Sequence, residues 1–508
     1  MNILRLILVV VVCCLTSGVT SRAADRSSKA PPLSPEESIA TMEIQPGYSV
    51  VPVLTEPHVE EPAVVAWDGN GRMYVVEMRT YMQDIDGSDS KAPTSRVSRH
   101  EDTNGDGVYD KHTVFADNLK LPRMVLPLLD SVIIGETDTL DLKSYRDTDD
   151  DGVADKIELW HEGGSRGGNL EHQPSGLIWN IDNWIYTTYT GSRLRFTDGK
   201  VVTEALSFNT GQWGLTQDDV GRMFYSTAGG ENPAYAFQQP IVYGKIALPG
   251  EQANGFREVF PIVNIPDVQG GLGRVRDDNT LNHFTGGGGQ SIYQGNAMPA
   301  DFDGNLLICE PVGRLIRRAK VTDENGRITV SNAYDGKEFI AAKDPNFRPI
   351  NSATGPDGSI YIVDMYRGII QEGAWVREGS YLRGVVQEYE LDKNIGRGRI
   401  YRVDHETTVR GPQPRMLDET PAQLVKHLSH SNGWWRNESQ KLIILHGDKS
   451  VVPALTKLAT EGDNALARLH ALWTLEGLGA VTLDILKKSV GDSDARVRAA
   501  TVLSLIHI

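Results

Sequence analysis

The run Val64-Val65-Ala66-Trp67-Asp68-Gly69-Asn70-Gly71-Arg72-Met73-Tyr74-Val75-Val76 decides the fold class. Two strand-forming segments flank residues 68–72, which are turn formers, and this order is typical of a β-hairpin. Five further units follow the same order, with irregular insertions between them, at residues 124–134, 177–186, 215–225, 300–308 and 354–362. Small sheets repeated around a channel make a β-propeller, so the sequence predicts a mainly β fold with a six-bladed β-propeller. A β-sandwich is the alternative, but it needs fewer strands.

The chain changes character on both sides of this β region, which we assign to residues 46–405. Residues 25–45 are polar and contain prolines, so we predict a linker there. From residue 418 to residue 508 the apolar residues follow a helical period. Three arginines in that region recur at spacings of 32 and 30 residues: Arg436, Arg468 and Arg498. The spacing predicts an α-helical, HEAT-like solenoid. Because a solenoid needs a polar capping repeat, we expect further sequence after Ile508.

Residues 1–24 have the pattern of a signal peptide. Arg5 precedes an apolar run at 6–15, and small residues follow where a signal peptidase would cleave. The apolar run is too short to predict a membrane span. Export would place the protein in the periplasm or outside the cell. It would also leave Cys309 as the one cysteine of the mature chain, so we expect no internal disulfide.

The formal net charge of −16 argues against a nucleic-acid partner, because such proteins need basic surface to neutralise phosphates. Part of this acidity lies in two loops that share one pattern, Asp-Thr-Asn-Gly-Asp-Gly-Val-Tyr-Asp at 102–110 and Asp-Thr-Asp-Asp-Asp-Gly-Val-Ala-Asp at 147–155. Side-chain oxygens at loop positions 1, 3, 5 and 9 and a backbone carbonyl at position 7 can surround a hard cation. Glycine at position 6 permits the sharp turn.

The two loops therefore predict two calcium sites. Their ligands would be Asp102, Asn104, Asp106, Val108 and Asp110 in the first loop, and Asp147, Asp149, Asp151, Val153 and Asp155 in the second. Glu158 supplies position 12 of the second loop, whereas Thr113 stands there in the first. Solvated acidic turns are the alternative, but two copies in the same phase favour calcium. We expect the loops to stiffen the chain next to the loop that carries His172.

The segment 167–176 is the densest candidate for chemistry, since it places His172 among glycines just before a predicted strand. Histidine has a pKa near neutrality, so His172 could act as a general base, and a structural hydrogen-bonding role is the alternative. The insertion 264–290 is long enough for a functional loop over the channel, although a surface excursion fits equally. Arg367 could bind a carboxylate through both guanidinium arms or form an ion pair between blades.

Several motifs of other enzyme classes are missing. The sequence has no Cys-x-x-Cys-His for covalent haem, no Gly-x-Ser-x-Gly elbow and no glycine fingerprint in a βαβ setting. Cys309 follows the apolar run 306–308 and has no neighbouring base in the sequence. We therefore predict that Cys309 is a buried strand residue.

Five phrases go beyond general patterning: Asp106-Gly107-Val108-Tyr109-Asp110-Lys111, Cys309-Glu310-Pro311-Val312-Gly313, Asp344-Pro345-Asn346-Phe347-Arg348-Pro349, Asp364-Met365-Tyr366-Arg367-Gly368-Ile369-Ile370-Gln371 and His430-Ser431-Asn432-Gly433-Trp434-Trp435-Arg436. Together they resemble the membrane-bound dehydrogenase family of exported bacterial proteins. Its members join a propeller, HEAT-like repeats and a C-terminal c-type cytochrome. The resemblance covers nearly the whole mature chain, and it implies peripheral association with a membrane.

The propeller in turn is similar to the soluble quinoprotein glucose and sorbosone dehydrogenases, through the phrases at 172–177 and 182–186. This resemblance implies that His172 takes the proton of a sugar or alcohol hydroxyl while hydride passes to pyrroloquinoline quinone. It implies that Arg193 and Arg367 contact the quinone or the substrate, and that a cytochrome accepts the electrons.

Two departures limit the resemblance. The haem motif is absent up to Ile508, as in a truncated chain, and the glycines at 286–289 replace a cysteine that would pair with Cys309. A non-catalytic propeller–solenoid module that binds a glycan or a protein is the alternative function.

Overall fold

The computed structural model describes residues 29–206, 211–227, 232–237, 252–324 and 327–507. The signal peptide predicted at 1–24 lies outside these residues. Within them the protein is mainly β, with a helical region after residue 415.

The strands are β1 (Met42–Ile44), β2 (Tyr48–Thr55), β3 (Pro62–Trp67), β4 (Met73–Glu77), β5 (Ser95–Glu101), β6 (Lys111–Leu119), β7 (Met124–Pro127), β8 (Val132–Gly135), β9 (Leu142–Arg146), β10 (Lys156–His161), β11 (Gly176–Trp179), β12 (Ile185–Thr187), β13 (Ser192–Thr197), β14 (Lys200–Ala205), β15 (Thr216–Gln217), β16 (Met223–Thr227), β17 (Asn232–Phe237), β18 (Gln290–Ile292), β19 (Leu306–Glu310), β20 (Leu315–Glu324), β21 (Arg327–Asn332), β22 (Ile340–Ala342), β23 (Pro349–Thr354), β24 (Ile360–Asp364) and β25 (Arg399–His405). The helices are α1 (Pro35–Ala40), α2 (Tyr381–Tyr389), α3 (Pro421–Leu424), α4 (Gly433–His446), α5 (Val452–Glu461), α6 (Ala465–Gly477), α7 (Leu483–Ser489) and α8 (Ala495–His507).

The strands form antiparallel units that follow one another along the chain. The units are β3–β6, β7–β10, β11–β14, β15–β17, β18–β21 with β22 and β1, and β23–β25 with β2. A parallel pairing between Gly176 and Met124 joins the second and third units into one eight-stranded sheet. This succession of small antiparallel sheets is propeller-like.

The first strands of neighbouring units surround a central channel. β3 contacts both β7 and β23, and β18 contacts both β15 and β23. β11 pairs with β7. The last unit is completed by β2, which pairs antiparallel with β25. The two ends of the β region therefore share one sheet, which closes the ring.

Most of the predicted hairpins are confirmed: β3–β4, β7–β8, β11–β12, β15–β16 and β23–β24. The unit predicted at 300–308 differs. Its first part is a 3₁₀ turn, Ala300–Phe302, and the first strand β18 lies earlier in the chain. Pro299 precedes that turn, and the amide of Phe302 bonds its carbonyl at 2.8 Å, so the chain turns there instead of continuing a ladder.

Aspartates hold several of the hairpin turns. The Oδ1 atom of Asp68 accepts from the amides of Asn70 and Arg72, at 2.9 and 3.1 Å. Asp218 and Asp357 each accept in the same way from the residue two positions later. These bonds join near neighbours in the chain, which is why the turns were visible as sequence patterns.

The channel has two different ends. In each antiparallel unit the turns between strands one and two and between strands three and four share one end, which we name the lower end. The connections between strands two and three, and those that lead to the next unit, share the upper end. His172 precedes β11 and lies at the upper end, whereas loops 102–110 and 147–155 join third to fourth strands at the lower end. The expectation that the acidic loops stiffen the His172 loop is therefore wrong.

The sequence predicts a linker at 25–45, whereas α1 and β1 occupy part of that stretch. Pro35 begins α1, and Ser34 and Glu37 cap it reciprocally: the amide of Glu37 bonds Ser34 Oγ at 3.1 Å, and the amide of Ser34 bonds Glu37 Oε2 at 2.9 Å. β1 pairs with β22, so this segment belongs to the fifth unit.

The helical region covers the lower end of the channel. Trp435 on α4 donates its indole N–H to the carbonyl of Pro356 at 2.8 Å, and Gln440 donates to the carbonyl of Ile181 at 2.7 Å. Both carbonyls belong to hairpin turns. Ile181 also joins the apolar core of the helices, which includes Leu442. The helices and the β region thus share a continuous interface.

A repeated contact marks the three helices that the sequence singles out. In each of α4, α6 and α8 one arginine donates from Nη1 to the carbonyls six and five residues earlier, at distances from 2.7 to 3.4 Å. These arginines are Arg436, Arg468 and Arg498. The same backbone contact therefore recurs at each arginine of the period that the sequence shows.

Candidate functional site

A cavity of about 270 Å³ opens at the upper end of the channel, and we name it the upper cavity. Its lining comes from the upper connections of several units, so its side chains are widely separated in the sequence. Aromatic and apolar side chains form much of the wall, among them Tyr81, Trp213, Ile350 and Trp375. Trp375 is 40% exposed, so part of its ring is open to a ligand. The described lining suits a small molecule with apolar faces.

His172 lies in the wall of the upper cavity. Its ring stacks on Tyr189 with 6.0 Å between centroids and 22° between planes. Arg166 fixes the backbone, because its Nη2 donates to the carbonyl of His172 at 3.1 Å. Burial, and then the charge of Arg166, lower the pKa of His172. At neutral pH the imidazole is uncharged and can accept a proton from a bound hydroxyl.

Glu171 also lines the upper cavity, and the sequence does not single it out. Its Oε1 atom accepts from the amide of Glu372 at 2.8 Å, and its carbonyl accepts from Gln212 Nε2 at 3.0 Å. Burial, and then the carboxyl of Glu372, raise the pKa of Glu171 to about 7. A carboxyl whose pKa is raised in the wall of a cavity is a candidate for acid–base chemistry.

The insertion 264–290 contributes to the upper cavity through Gln269, Arg274 and Thr285. Of the two alternatives that the sequence leaves open for this insertion, the structure shows the one in which it reaches the mouth of the channel. Gln371, from the connection between β24 and β25, adds a second uncharged amide side chain to the lining. Its Oε1 accepts from the backbone amide of Gln269 at 3.0 Å. Two unrelated connections are thereby joined across one side of the cavity.

A second chamber of about 220 Å³ lies below the first, inside the ring of first strands. Trp213 and Ile350 line both spaces and separate them. Trp434 and Glu438 of α4 line the lower side of this chamber. The helical region therefore covers the channel at the end opposite to His172, and a ligand reaches the upper cavity from the upper end.

Arg193 and Arg367 stand elsewhere. Arg193 is 2% exposed on β13, where its guanidinium lies 3.3 Å from a carboxylate oxygen of Asp182 and 3.0 Å from one of Glu204. Arg367 is fully buried 2.9 Å from Glu61 and also donates to the backbone carbonyls of Tyr81 and Met82. Neither arginine lines the upper cavity. Their contacts tie strands and connections together, and Tyr81 of the cavity wall is positioned partly by Arg367.

The two acidic loops have the turn geometry that their sequences predict. In the second loop, carboxylate oxygens of Asp147, Asp149 and Asp151 all lie within 4.8 Å of one another, an arrangement that suits a hard cation. Arg99 Nη1 approaches Asp147 Oδ2 at 3.2 Å and partly balances this charge. The hydroxyl of Thr148 donates a hydrogen bond to Asp155 Oδ2 at 2.6 Å.

The first loop is organised in the same way. Asp102 accepts from the amides of Gly105 and Gly107, both at 2.8 Å. Asp110 accepts from the amide and hydroxyl of Thr103, as Asp155 does from Thr148 in the second loop. The remaining predicted ligands stand on the same turns: Asn104, Asp106, Val108 and Val153.

Glu158 is placed differently from the prediction. It lies on β10, is about half exposed, and forms an ion pair with Lys156 at 3.0 Å. The converging cluster of the second loop does not include it. Glu158 is the third residue of β10 and shares one face of the strand with Lys156, with which it pairs.

Cys309 is fully buried on β19, as predicted, and burial raises the pKa of its thiol to about 12. It is therefore a packing residue, since a thiol in such a setting is not ionised at neutral pH. Among the described residues, no helix is both long enough and apolar enough to cross a bilayer.

The lining also tests the quinone that the resemblance implies. Among the described residues of the upper cavity, Arg274 is the one guanidinium and Glu171 the one carboxyl group. Pyrroloquinoline quinone carries several carboxylates, and each needs a cationic or multiple-donor partner when it leaves water. The described lining does not match that charge. It suits an uncharged molecule better.

Comparisons with known proteins bear on the family. No curated protein matches the chain. Among solved structures, the luciferin-regenerating enzyme aligns at 13% identity and a TM-score of 0.42, over 73% of this chain and 99% of that chain. The PQQ domain of pyranose dehydrogenase from Coprinopsis cinerea aligns at 13% and 0.39, over 72% and 97%. The soluble aldose sugar dehydrogenase from Escherichia coli aligns at 11% and 0.37, over 70% and 99%.

These structural likenesses are weak, and they do not bear on substrate or cofactor. The sequence comparison is more decisive, because a family model described as "Domain of unknown function (DUF7133)" matches residues 34–407. That match takes in all the antiparallel units and the upper cavity, and it covers well over half of the chain. The chain therefore belongs to the DUF7133 domain family.

Proposed function

We propose that the protein oxidises a hydroxyl group of a sugar or alcohol bound in the upper cavity, with His172 as the base that takes the hydroxyl proton. The observation that carries this proposal is a neutral imidazole in the wall of an aromatic-lined cavity at the mouth of the channel. The lowered pKa of His172 keeps the ring free to accept a proton at neutral pH.

The lining supports a sugar or cyclic alcohol as the ligand class. The C–H faces of such a ring pack on aromatic side chains such as Trp213 and Trp375, while its hydroxyls pair with a few placed polar groups. Gln371 and Glu171 are such groups in the same wall. The neutral character of most of the lining favours an uncharged ligand over an anion.

Oxidation of an alcohol removes a hydride as well as a proton, so a two-electron acceptor is required. We propose an uncharged quinone as that acceptor and a c-type cytochrome as the protein that receives the electrons next. The single guanidinium in the described lining supports an uncharged quinone over pyrroloquinoline quinone.

The same proposal extends to the architecture and the compartment. The antiparallel units would be the six blades of one propeller, and the helices with the repeated arginine contact would be a HEAT-like solenoid. The acidic loops would hold Ca²⁺, which the converging carboxylates of Asp147, Asp149 and Asp151 support. The protein would act in the periplasm or outside the cell, at a membrane surface.

The test is dye reduction by the purified protein with a panel of sugars and cyclic alcohols. One arm contains an uncharged quinone, and a second contains pyrroloquinoline quinone with calcium. We expect sugar-dependent reduction in the first arm. Reduction in the second arm alone would overturn the choice of acceptor. Sugar binding, seen by quenching of tryptophan fluorescence, without reduction in either arm would identify a binding module instead.

A further inference from the structure

The imidazole of His172 makes no hydrogen bond to any of the described residues. The hydrogen bonds of this residue belong to its backbone, since its amide donates to the carbonyl of Asn169 at 3.1 Å and its carbonyl accepts from Arg166. A base in an active site is commonly oriented by a third group that bonds its ring. A contact of another kind must therefore orient the ring of His172 in the wall of the upper cavity.

That contact is made by the ring of Tyr189. Tyr189 follows β12, whereas His172 precedes β11, so the two rings stand on either side of one hairpin. Their centroids are 6.0 Å apart and their planes differ by 22°, which is an offset stack, a preferred arrangement of aromatic rings. Tyr189 is not among the described residues that line the upper cavity. It therefore supports the imidazole from behind the cavity wall.

Arg166 holds the two stacked residues together. Its Nη1 donates to the carbonyl of Tyr189 and its Nη2 to the carbonyl of His172, both at 3.1 Å. The central carbon of its guanidinium also lies 5.1 Å from the centroid of the Tyr189 ring. A planar guanidinium can span two carbonyls at once in a fixed geometry. One side chain thus fixes the separation of the two backbones that carry the stack.

Buried hydrogen bonds keep the same two segments in register. The amide of Ser175 donates to Thr188 Oγ1 at 2.8 Å, and the amide of Thr188 donates to the carbonyl of Ser175 at 2.9 Å. Both residues are almost fully buried. On its other side, Tyr189 donates its amide to the carbonyl of Gly211 at 3.2 Å. The position of the tyrosine is therefore determined by the hairpin and by the next connection.

The backbone of Tyr189 is left-handed, with a φ of 53°. A bulky side chain is uncommon in this conformation, which glycine adopts without strain. Residues held in such conformations are concentrated at functional sites, where the surrounding structure imposes them. A turn that required only this backbone would be satisfied by glycine, so the ring of Tyr189 has a role of its own.

We propose that Tyr189 is a positioning residue for His172: its ring, held by Arg166, keeps the imidazole in the plane in which it meets a hydroxyl group in the upper cavity. The meeting with a hydroxyl rests on the proposed function, whereas the orientation of the ring does not. Because Tyr189 stands behind the wall, its loss should slow the reaction and leave the affinity for the sugar unchanged.

Nuclear magnetic resonance of histidine-labelled protein tests the orientation without any ligand. The ring resonances of His172 are assigned by their absence from His172→Asn. We expect the ring current of Tyr189 to displace them, Tyr189→Phe to keep that displacement, and Tyr189→Leu to lose it. Tyr334→Leu is the matched control, because Tyr334 is also half-buried and stacks on an aromatic ring, that of Phe339, in another unit. It should leave the His172 resonances unchanged.

A displacement that survives in Tyr189→Leu would overturn the proposal. Circular dichroism and melting establish that each variant is folded. If Tyr189→Leu does not fold, Arg166→Lys decides, since lysine keeps the charge but has no planar fork to hold both carbonyls. It should weaken the displacement, and an unchanged displacement would again overturn the proposal.

The effect on the reaction is measured by sugar-dependent reduction of an uncharged quinone. We expect Tyr189→Leu to lower kcat about 10- to 10²-fold, the usual effect of a misplaced catalytic group, with KM little changed and Tyr189→Phe close to the wild type. A loss of D-glucose affinity as large as the loss of rate, measured by tryptophan fluorescence, would make Tyr189 a ligand contact and overturn the positioning role. Absence of reduction in the wild-type protein would contradict the proposed function, and the resonance displacement alone then decides the orientation.

Discussion

At the residue scale, burial controls the charge that a histidine can carry. His100 is fully buried, with its Nε2 2.7 Å from Ser98 Oγ and its Nδ1 2.9 Å from Nδ1 of His112. Burial, and then the charges of His112, Arg96 and His58, lower the pKa of His100 to about 3. The imidazole is therefore neutral in the folded protein throughout the physiological range.

We expect acid to destabilise the protein through His100. In the unfolded chain the imidazole regains a pKa of about 6.5, so below that pH the unfolded state binds a proton that the folded state takes up only near pH 3. Between neutral pH and about pH 5 this should remove about 2 kcal/mol from the free energy of unfolding. Denaturant unfolding of wild type and His100→Gln at both pH values measures it. Equal losses in the two proteins would contradict the lowered pKa.

The sequence predicts His172 but not Glu171. A histidine that leads into a first strand stands at the end of the channel, and that position follows from local pattern alone. The pKa of Glu171 instead depends on burial in the folded protein and then on the charges of Glu372 and Arg123, which folding brings close from other units. Arg193 and Arg367 carry no local sign of their partners either, since the sequence does not reveal which carboxylate will face a buried guanidinium.

At the element scale, single substitutions test the acidic loops and the helices with the repeated arginine contact. For the loops we expect a chelator to lower the melting temperature, because an ion bound only by the native state stabilises it. Asp151→Ala should abolish most of that shift, since Asp151 belongs to the converging cluster. Glu158→Gln is the matched control and should retain the shift, because Glu158 pairs with Lys156 outside the cluster. An unchanged melting temperature after chelation of the wild-type protein would contradict calcium binding by the loops.

For the helices we expect Arg468→Lys to lower the free energy of unfolding by about 1.5–3 kcal/mol. Arg468 donates from Nη1 to the carbonyls of Gly462 and Asp463 and also pairs with Asp492 at 2.7 Å, and a lysine has no planar fork to span these acceptors. Arg496→Lys is the control, because Arg496 is about half exposed and its ion pair among the described residues is with Asp494, which directly precedes α8. Urea unfolding measures both. A loss in Arg468→Lys no larger than that in the control would contradict a structural role for the repeated contact.

The helical pattern was predictable because each arginine bonds carbonyls only five and six residues earlier in the chain, so the spacing of the arginines is visible in the sequence. The hairpins around Asp68 and Asp218 were predictable for the same reason. The unit at 300–308 was not, because its first strand lies beyond a connection that no local pattern joins to it.

At the scale of the whole molecule, the helical region and the β region should unfold together. Gln440 on α4 is buried and donates to the carbonyl of Ile181 at 2.7 Å and to Asn183 Oδ1 at 2.8 Å, while its Oε1 lies 2.7 Å from Nδ1 of His470. The contacts with Ile181 and Asn183 cross the interface and hold the helices on a hairpin turn, while the contact with His470 fixes Gln440 within the helical region. The sequence locates both regions but not their contact, because partners such as Gln440 and Ile181 lie 259 residues apart in the chain.

Gln440→Ala should therefore lower the free energy of unfolding by about 2–4 kcal/mol, because it leaves several buried polar groups without partners. It should also split one calorimetric transition into two, as the regions lose their coupling. Gln423→Ala, at the exposed start of α3, is the control and should leave a single transition. Two transitions in the wild-type protein would contradict the coupling from the outset.

The upper cavity lies at the opposite end of the channel from the helices, and this position follows from the strand order of the whole ring. The most direct test of the cavity's role in oxidation compares two histidine variants in one assay. His172 lines that cavity, whereas His161 is a partly buried histidine of another groove whose pKa burial also lowers. We expect His172→Asn to reduce sugar-dependent reduction of an uncharged quinone by about 10²- to 10⁴-fold, the usual contribution of a general base. His161→Asn should retain the wild-type rate. Equal rates in the two variants would contradict the assignment of the upper cavity as the site of hydroxyl oxidation.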